Sequence, residues 1–74
     1  MNIEETKKII EDSLKNMGCT DIVFLDVKND LLVVVFNCRK ITSFVTKVPE
    51  WIHSGIQLDQ TGAHQYKIDF KKVS

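Results

Sequence analysis

The chain has 74 residues, and its ten basic side chains balance ten acidic ones to give a formal net charge of zero. Because there is no global positive field, the composition argues against a protein that works mainly by attracting nucleic acid or an anionic membrane. Hydrophobic residues make up 43% and charged residues 27%, which is typical of a globular chain and argues against disorder. We therefore expect residues 1–74 to form a single small domain with one modest core.

The first predicted element is a helix from Asn2 to Met17. Asn2 is suited to cap the first turn, and Glu5 follows three residues later, where it can complete a capping box. Gly18 can adopt the left-handed backbone that ends a helix. Apolar positions recur at helical spacing and form one stripe, which consists of Ile3, Thr6, Ile10, Leu14 and Met17.

A β-hairpin is predicted next, with its first strand from Thr20 to Lys28 and a two-residue loop at Asn29-Asp30. Its second strand begins with the apolar run 31–36, which has the length of a strand and is too short to span a membrane. The face that we expect the helix to cover carries Val23, Leu25, Val27, Leu32, Val34 and Phe36. The opposite face carries Ile22, Phe24, Val33 and Val35.

The remaining chain predicts a turn at Arg39-Lys40, a third strand over 41–48, a short helical turn from Pro49 and strands at 56–58 and 65–71. Phe44 of the third strand is expected on the face opposite the helix. The resulting order, α-β-β-β-short turn-β-β, predicts a two-layer α+β fold in which the N-terminal helix packs on a mostly antiparallel sheet of 4–5 strands.

Residues 20–27, with the sequence Thr-Asp-Ile-Val-Phe-Leu-Asp-Val, are similar to the strand that opens the ribosomal silencing factor family, where the strand also follows a helix. The resemblance covers eight residues of the chain. No site or activity is carried over from it.

The possible soft metal ligands are Cys19, Cys38, His53 and His64, and their spacing fits no zinc pattern. The hairpin can bring the two cysteines together, and we expect both to be reduced. The acidic, polar amino terminus is unlike a secretory leader, so we expect a cytoplasmic protein. We predict no catalytic residue, no cofactor, no metal and no enzymatic activity.

The sheet face opposite the helix is the predicted interaction surface, because one short helix cannot cover both faces of a sheet. Either residues 51–70 fold across it, or a second molecule covers it, and we favour a homodimer or a protein partner. Trp51 either caps the core or anchors this interface. The predicted interface residues are Ile22, Phe24, Val33, Val35, Phe44 and Trp51.

The leading hypothesis is therefore a small protein-interaction module that self-associates. By analogy of size and composition, it resembles phage or mobile-element proteins that inhibit or adapt a host protein. The alternative is a small nucleic-acid-binding domain with a basic sheet edge, although the zero net charge disfavours it. That edge would use Arg39, Lys40, Tyr66, Lys67, Lys71 and Lys72.

Overall fold

The computed structural model describes residues 2–73. Its first element is helix α1, Ile3–Asn16, and the predicted cap is confirmed because the Asn2 side-chain oxygen accepts a hydrogen bond from the Glu5 N–H at 2.9 Å. Gly18 follows the helix with φ of 86°, which is the left-handed conformation expected there. The buried residues of α1 all belong to the predicted stripe and are Thr6, Ile10 and Leu14.

Strands β1 (Thr20–Val27) and β2 (Leu31–Asn37) form the predicted hairpin. The Lys28 N–H donates to the Leu31 carbonyl at 2.9 Å, which confirms the two-residue loop. Beyond the loop the register departs from the prediction, because Phe24 pairs with Val34 and leaves Leu25 without a partner residue. This β-bulge shifts the pairing by one residue and so exchanges the two faces at Val23 and Phe24, and a second register shift follows between Thr20 and Val23.

The segment 41–48, which was predicted to be a third strand, contains no strand. The prediction is wrong because the free edge of β2 is taken by the last strand of the chain. Residues 39–48, which we call the crossover segment, instead pass over the sheet on the helix side. Phe44 and Val48 are buried in the core, whereas Val45 between them is 83% exposed. The alternation of this segment therefore reflects packing against a sheet face.

Strand β3, Trp51–His53, occupies the region that was predicted to be a helical turn. A turn at Pro49-Glu50 precedes it, and β3 then pairs with residues 70–72. The short strand expected at 56–58 is confirmed as β4, Gln57–Leu58. The final predicted strand is also confirmed, as β5, Tyr66–Lys72.

Strand β5 is central to the sheet. It pairs with β2 along one edge and with β3 and β4 along the other, and all of the pairings are antiparallel. The order is β1-β2-β5-β3, with β4 also beside β5, so β1 is an edge strand. One N-terminal helix on an antiparallel five-stranded sheet confirms the predicted two-layer α+β class.

The core lies between the sheet and a layer that consists of α1 and the crossover segment. Phe44 of that segment meets Phe70 of β5 edge to face, with ring centroids 5.6 Å apart. No helix or strand of residues 2–73 lies over the other side of the sheet, which we call the open face. The core residues of the sheet include Leu32, Val34, Phe36, Trp51, Ile68 and Phe70.

Candidate interaction surface

Ile22 and Phe24 lie on the helix side of the sheet and not on the open face. Both are half-buried and pack against the core, and Lys7 Nζ lies 5.4 Å from the centroid of the Phe24 ring. The bulge at Leu25 is the physical reason, because it reverses the direction of the side chains that follow it towards the start of β1. The face predicted for Ile22 and Phe24 was therefore wrong.

Phe44 and Trp51 are also on the helix side, in the core cluster. Trp51 is 7% exposed, which matches the core-capping alternative considered for it. Phe44 was expected to share the open face with Val35, and that position was wrong because the crossover segment is not part of the sheet. Neither aromatic ring offers much surface to a partner.

Val33 and Val35 point to the open face as predicted. Val35 is nevertheless only 1% exposed, and Val33 is half-buried. On this face Val35 lies between its register partners Val23 of β1 and Lys67 of β5. The chain itself therefore already shields Val35 from solvent.

The exposed apolar side chains of the hairpin belong to β1. Val23 is 43% exposed and Leu25 is 53% exposed, and Val27 is similarly open to solvent. The sequence placed all three on the face under the helix. Val27 is on that face, opposite Leu32, although it is exposed, whereas Val23 pairs with Val35 on the open face. The sequence carries no glycine or other signal of the bulge near Leu25 that causes this change. These residues, and not Ile22 and Phe24, are the ones that a partner could contact along β1.

The open face is divided between an apolar half on β1 and β2 and a polar half on β5. On the polar half, Asp69 Oδ2 accepts a hydrogen bond from Gln57 Nε2 at 3.4 Å. Asp69 Oδ1 is shielded from solvent, forms no hydrogen bond within residues 2–73 and lies 3.9 Å from Lys67 Nζ. Lys71 is on the same face and exposed.

Cys19 and Cys38 meet in the core, as expected for the hairpin, although the register there differs from the predicted one. Cys19 directly precedes Thr20, Cys38 directly follows its partner Asn37, and both cysteines are buried free thiols. Burial, followed by the hydrogen bond to Cys38, raises the pKa of Cys19 to about 12. Cys19 is therefore a neutral thiol at physiological pH, which is the form that is neither nucleophilic nor a good metal ligand.

His53 takes part in an aromatic cluster at the β3 end of the core. Its ring is 5.0 Å from that of Phe44 and 5.5 Å from that of Phe70, and Nδ1 lies 2.9 Å from the Ser54 carbonyl oxygen. His53 therefore contributes to the packing of this end of the core.

Asp59 organises the loop between β4 and β5. Its carboxylate accepts hydrogen bonds from the backbone N–H groups of Thr61 and His64 and from the Thr61 hydroxyl. These bonds, of which the Thr61 backbone bond is the largest contribution, hold the pKa of Asp59 below its usual value. Within residues 2–73 no cluster of three or more His, Cys, Asp or Glu side chains could hold a metal ion.

The six residues of the predicted nucleic-acid surface are not brought together. Arg39 and Lys40 follow the end of β2, near which Tyr66 packs with its ring 5.9 Å from that of Phe36. Lys71 and Lys72 lie at the opposite end of the sheet, where the Lys72 N–H donates to the Asp30 carbonyl. The register also puts Lys67 and Lys71 on the open face and Tyr66 on the helix side. No continuous basic surface results.

Comparisons with protein-family models, curated proteins and solved structures find no match to this chain. The resemblance of residues 20–27 to ribosomal silencing factors therefore has no support from a family match. Within residues 2–73, no helix is both long enough and apolar enough to cross a membrane. The fold defines the class of the protein, a small α+β domain.

Proposed function

We propose that this chain is a small non-enzymatic module that binds protein, and that it self-associates through β1. The observation that carries the proposal is the edge position of this eight-residue strand, whose exposed side chains include Val23, Leu25 and Val27. An edge strand presents unpaired backbone N–H and C=O groups, and exposed apolar side chains add area that a partner can bury.

A second copy suits this edge because β1 can pair with itself in antiparallel orientation. With the Phe24 residues of two copies opposite each other, Val23 faces Leu25 and Ile22 faces Asp26, so no like charges are opposed. The two-fold axis would give a closed dimer. Because β1 is bent by register shifts, we expect a short paired stretch and a weak dimer.

The state of the reactive groups supports a role without catalysis. Cys19 is held as a buried thiol by its raised pKa, and His53 packs against two phenylalanine rings. A cysteine nucleophile needs an adjacent base that is oriented by a third group, and His53 does not have that arrangement.

The test is the oligomeric state of the whole chain across the micromolar concentration range, measured by light scattering after size exclusion. We expect the wild type to shift from monomer to dimer, and the double variant Val23→Asp, Leu25→Asp to stay monomeric. Both side chains are exposed, so circular dichroism should show an unchanged fold. Leu58→Asp is the matched control, because Leu58 is 69% exposed but lies on β4, at the other edge of the sheet. A wild type that stays monomeric throughout, or a control that breaks the dimer equally, would contradict the proposal.

A further inference from the structure

The crossover segment, residues 39–48, has the sequence of a strand but no strand partner. Its central residues, Ile-Thr-Ser-Phe-Val-Thr-Lys at 41–47, are rich in β-branched and aromatic types. Burial alternates from Phe44 to Val48 with the period of two that is typical of an extended chain. The backbone groups of residues 41–47 nevertheless form no hydrogen bond with any part of residues 2–73.

This lack of pairing leaves a row of backbone donors and acceptors available at the surface. Backbone N–H and C=O groups are strong hydrogen-bonding groups, and only another extended backbone supplies complementary partners at the same spacing. Thr42, Ser43, Val45 and Lys47 are exposed, so a partner can reach the segment. A polypeptide strand is therefore the kind of ligand that matches it.

Two surface grooves flank the segment, and the charged side chains that line them are basic, which would favour an acidic ligand. One, of about 450 Å³, separates it from the carboxyl-terminal half of α1 and includes Lys40. The other, of about 440 Å³, separates it from β3 and includes Lys47 and His53. No acidic side chain lines either groove, and the segment itself carries Arg39, Lys40 and Lys47 without any acidic residue.

We propose that the crossover segment binds an extended acidic peptide of a partner protein by strand addition along its exposed side, between the groove that includes Lys40 and the groove that includes Lys47. Lys40 and Lys47 are seven positions apart, so in an extended chain they lie about 23 Å from each other. Carboxylates near the two ends of the peptide reach these ammonium groups, and an apolar side chain between them covers Val45. A second copy of the same segment would bring like charges together, which makes it the poorer partner.

The site is separate from β1. It would bind a different protein, whereas β1 is proposed to bind a second copy of this chain. The two proposals can therefore fail independently: loss of β1 pairing would change the oligomeric state and leave peptide binding at the crossover segment intact.

Amide hydrogen exchange of the isotope-labelled whole chain, followed by NMR, tests the inference. The probe is a short capped peptide in which valine and threonine alternate between two terminal glutamates. We expect it to slow exchange at amides within 42–47 by roughly tenfold or more, since ordered strand pairing protects the hydrogen-bonded amides. The same peptide with terminal lysines should protect them much less, and added salt should weaken the effect.

Two variant pairs separate backbone pairing from charge. Val45→Pro removes one N–H at an exposed position and should abolish the protection, whereas Val45→Ala should retain it. Reversing both charges, Lys40→Glu with Lys47→Glu, should weaken binding at least tenfold, whereas Lys28→Glu beside the hairpin loop should not. The inference would be overturned if the peptide gave no protection or if the lysine peptide protected the amides equally. Protection that rises with protein concentration in the absence of peptide would also overturn it, because a second copy of the chain would then be the occupant.

Discussion

At the scale of single residues, burial decides the chemistry of the groups that looked reactive. Cys19 and Cys38 are close enough to interact, a geometry that in other surroundings could bind a metal or cycle between redox states. Here both are buried beside the apolar residues of the core. A thiolate loses its hydration when it is buried, so the neutral form is favoured and the sulfur atoms behave as small apolar groups.

We predict that Cys19 reacts very slowly with iodoacetamide in the folded chain. A pKa of about 12 in place of 9.0 lowers the thiolate fraction at mildly alkaline pH about a thousandfold, since each unit is tenfold. The rate of alkylation, followed by mass spectrometry of the Cys38→Ser variant, should rise steeply in denaturant. Equal rates in the folded and denatured chain would contradict the prediction.

The same raised pKa predicts how stability depends on pH. Between pH 9.0 and about 12 the folded chain binds more protons at Cys19 than the unfolded chain does. The contribution of this thiol to the free energy of unfolding is therefore complete below pH 9.0 and is lost as the pH rises. Urea denaturation on both sides of pH 9.0 should show a smaller alkaline loss for Cys19→Ala than for the wild type, because other titrating groups are common to both.

At the scale of elements, α1 and β1 show opposite relations between local sequence and geometry. The signals of α1 are all local, since its cap, its apolar stripe and its terminal glycine lie within one stretch of chain. The geometry of β1 depends instead on how it pairs with β2. The bulge at Leu25 moved Phe24 to the core and Val23 to the open face, and so changed which residues can meet a partner.

The role of Gly18 in ending α1 is tested by comparison with Gly55. A Cβ added at either position meets no atom within 4 Å, but Gly18 has φ of 86° and Gly55 is not in the left-handed region. We expect Gly18→Ala to lower the free energy of unfolding by about 1 kcal/mol through backbone strain. Gly55→Ala should be neutral or slightly stabilising, because it restricts the unfolded chain. Urea denaturation of both variants measures the difference, and equal losses would show that φ is not the cause.

At the scale of the whole molecule, a single hydrophobic core stabilises the fold. It lies on one side of the sheet only, so the open face contributes little apolar burial, apart from Val35. A domain of 74 residues has an expected free energy of unfolding of about 4–11 kcal/mol, at roughly 0.05–0.15 kcal/mol per residue. Single losses in the core are therefore large in proportion to the total.

We predict that Phe36→Ala removes a large part of the free energy of unfolding. Phe36 is fully buried in the middle of the sheet, and removal of a buried phenylalanine ring costs about 3–5 kcal/mol. Phe24→Ala should cost clearly less, since Phe24 is half-buried near the sheet edge. Thermal denaturation followed by circular dichroism compares the two, and a similar loss for both variants would contradict the placement of the core.

Three parts of the fold could be predicted because their sequence signals are local. The capped helix, the Asn29-Asp30 loop and the alternating strand β5 were all predicted where they occur, because caps, turns and periodicity depend on neighbours along the chain.

Which segments pair with one another depends on contacts between distant parts of the chain. Residues 41–48 and β5 both have strand-like sequences, and β5 takes the edge of β2 because its Ile68 and Phe70 complete the apolar surface under the helix. Because β5 pairs with β2, the crossover segment lies over the core and its backbone is unpaired. This arrangement also gave Trp51 a place in β3. Strand pairing joins residues that are distant along the chain. Local patterns can therefore identify the segments that could form a strand but cannot predict which of them pairs with β2.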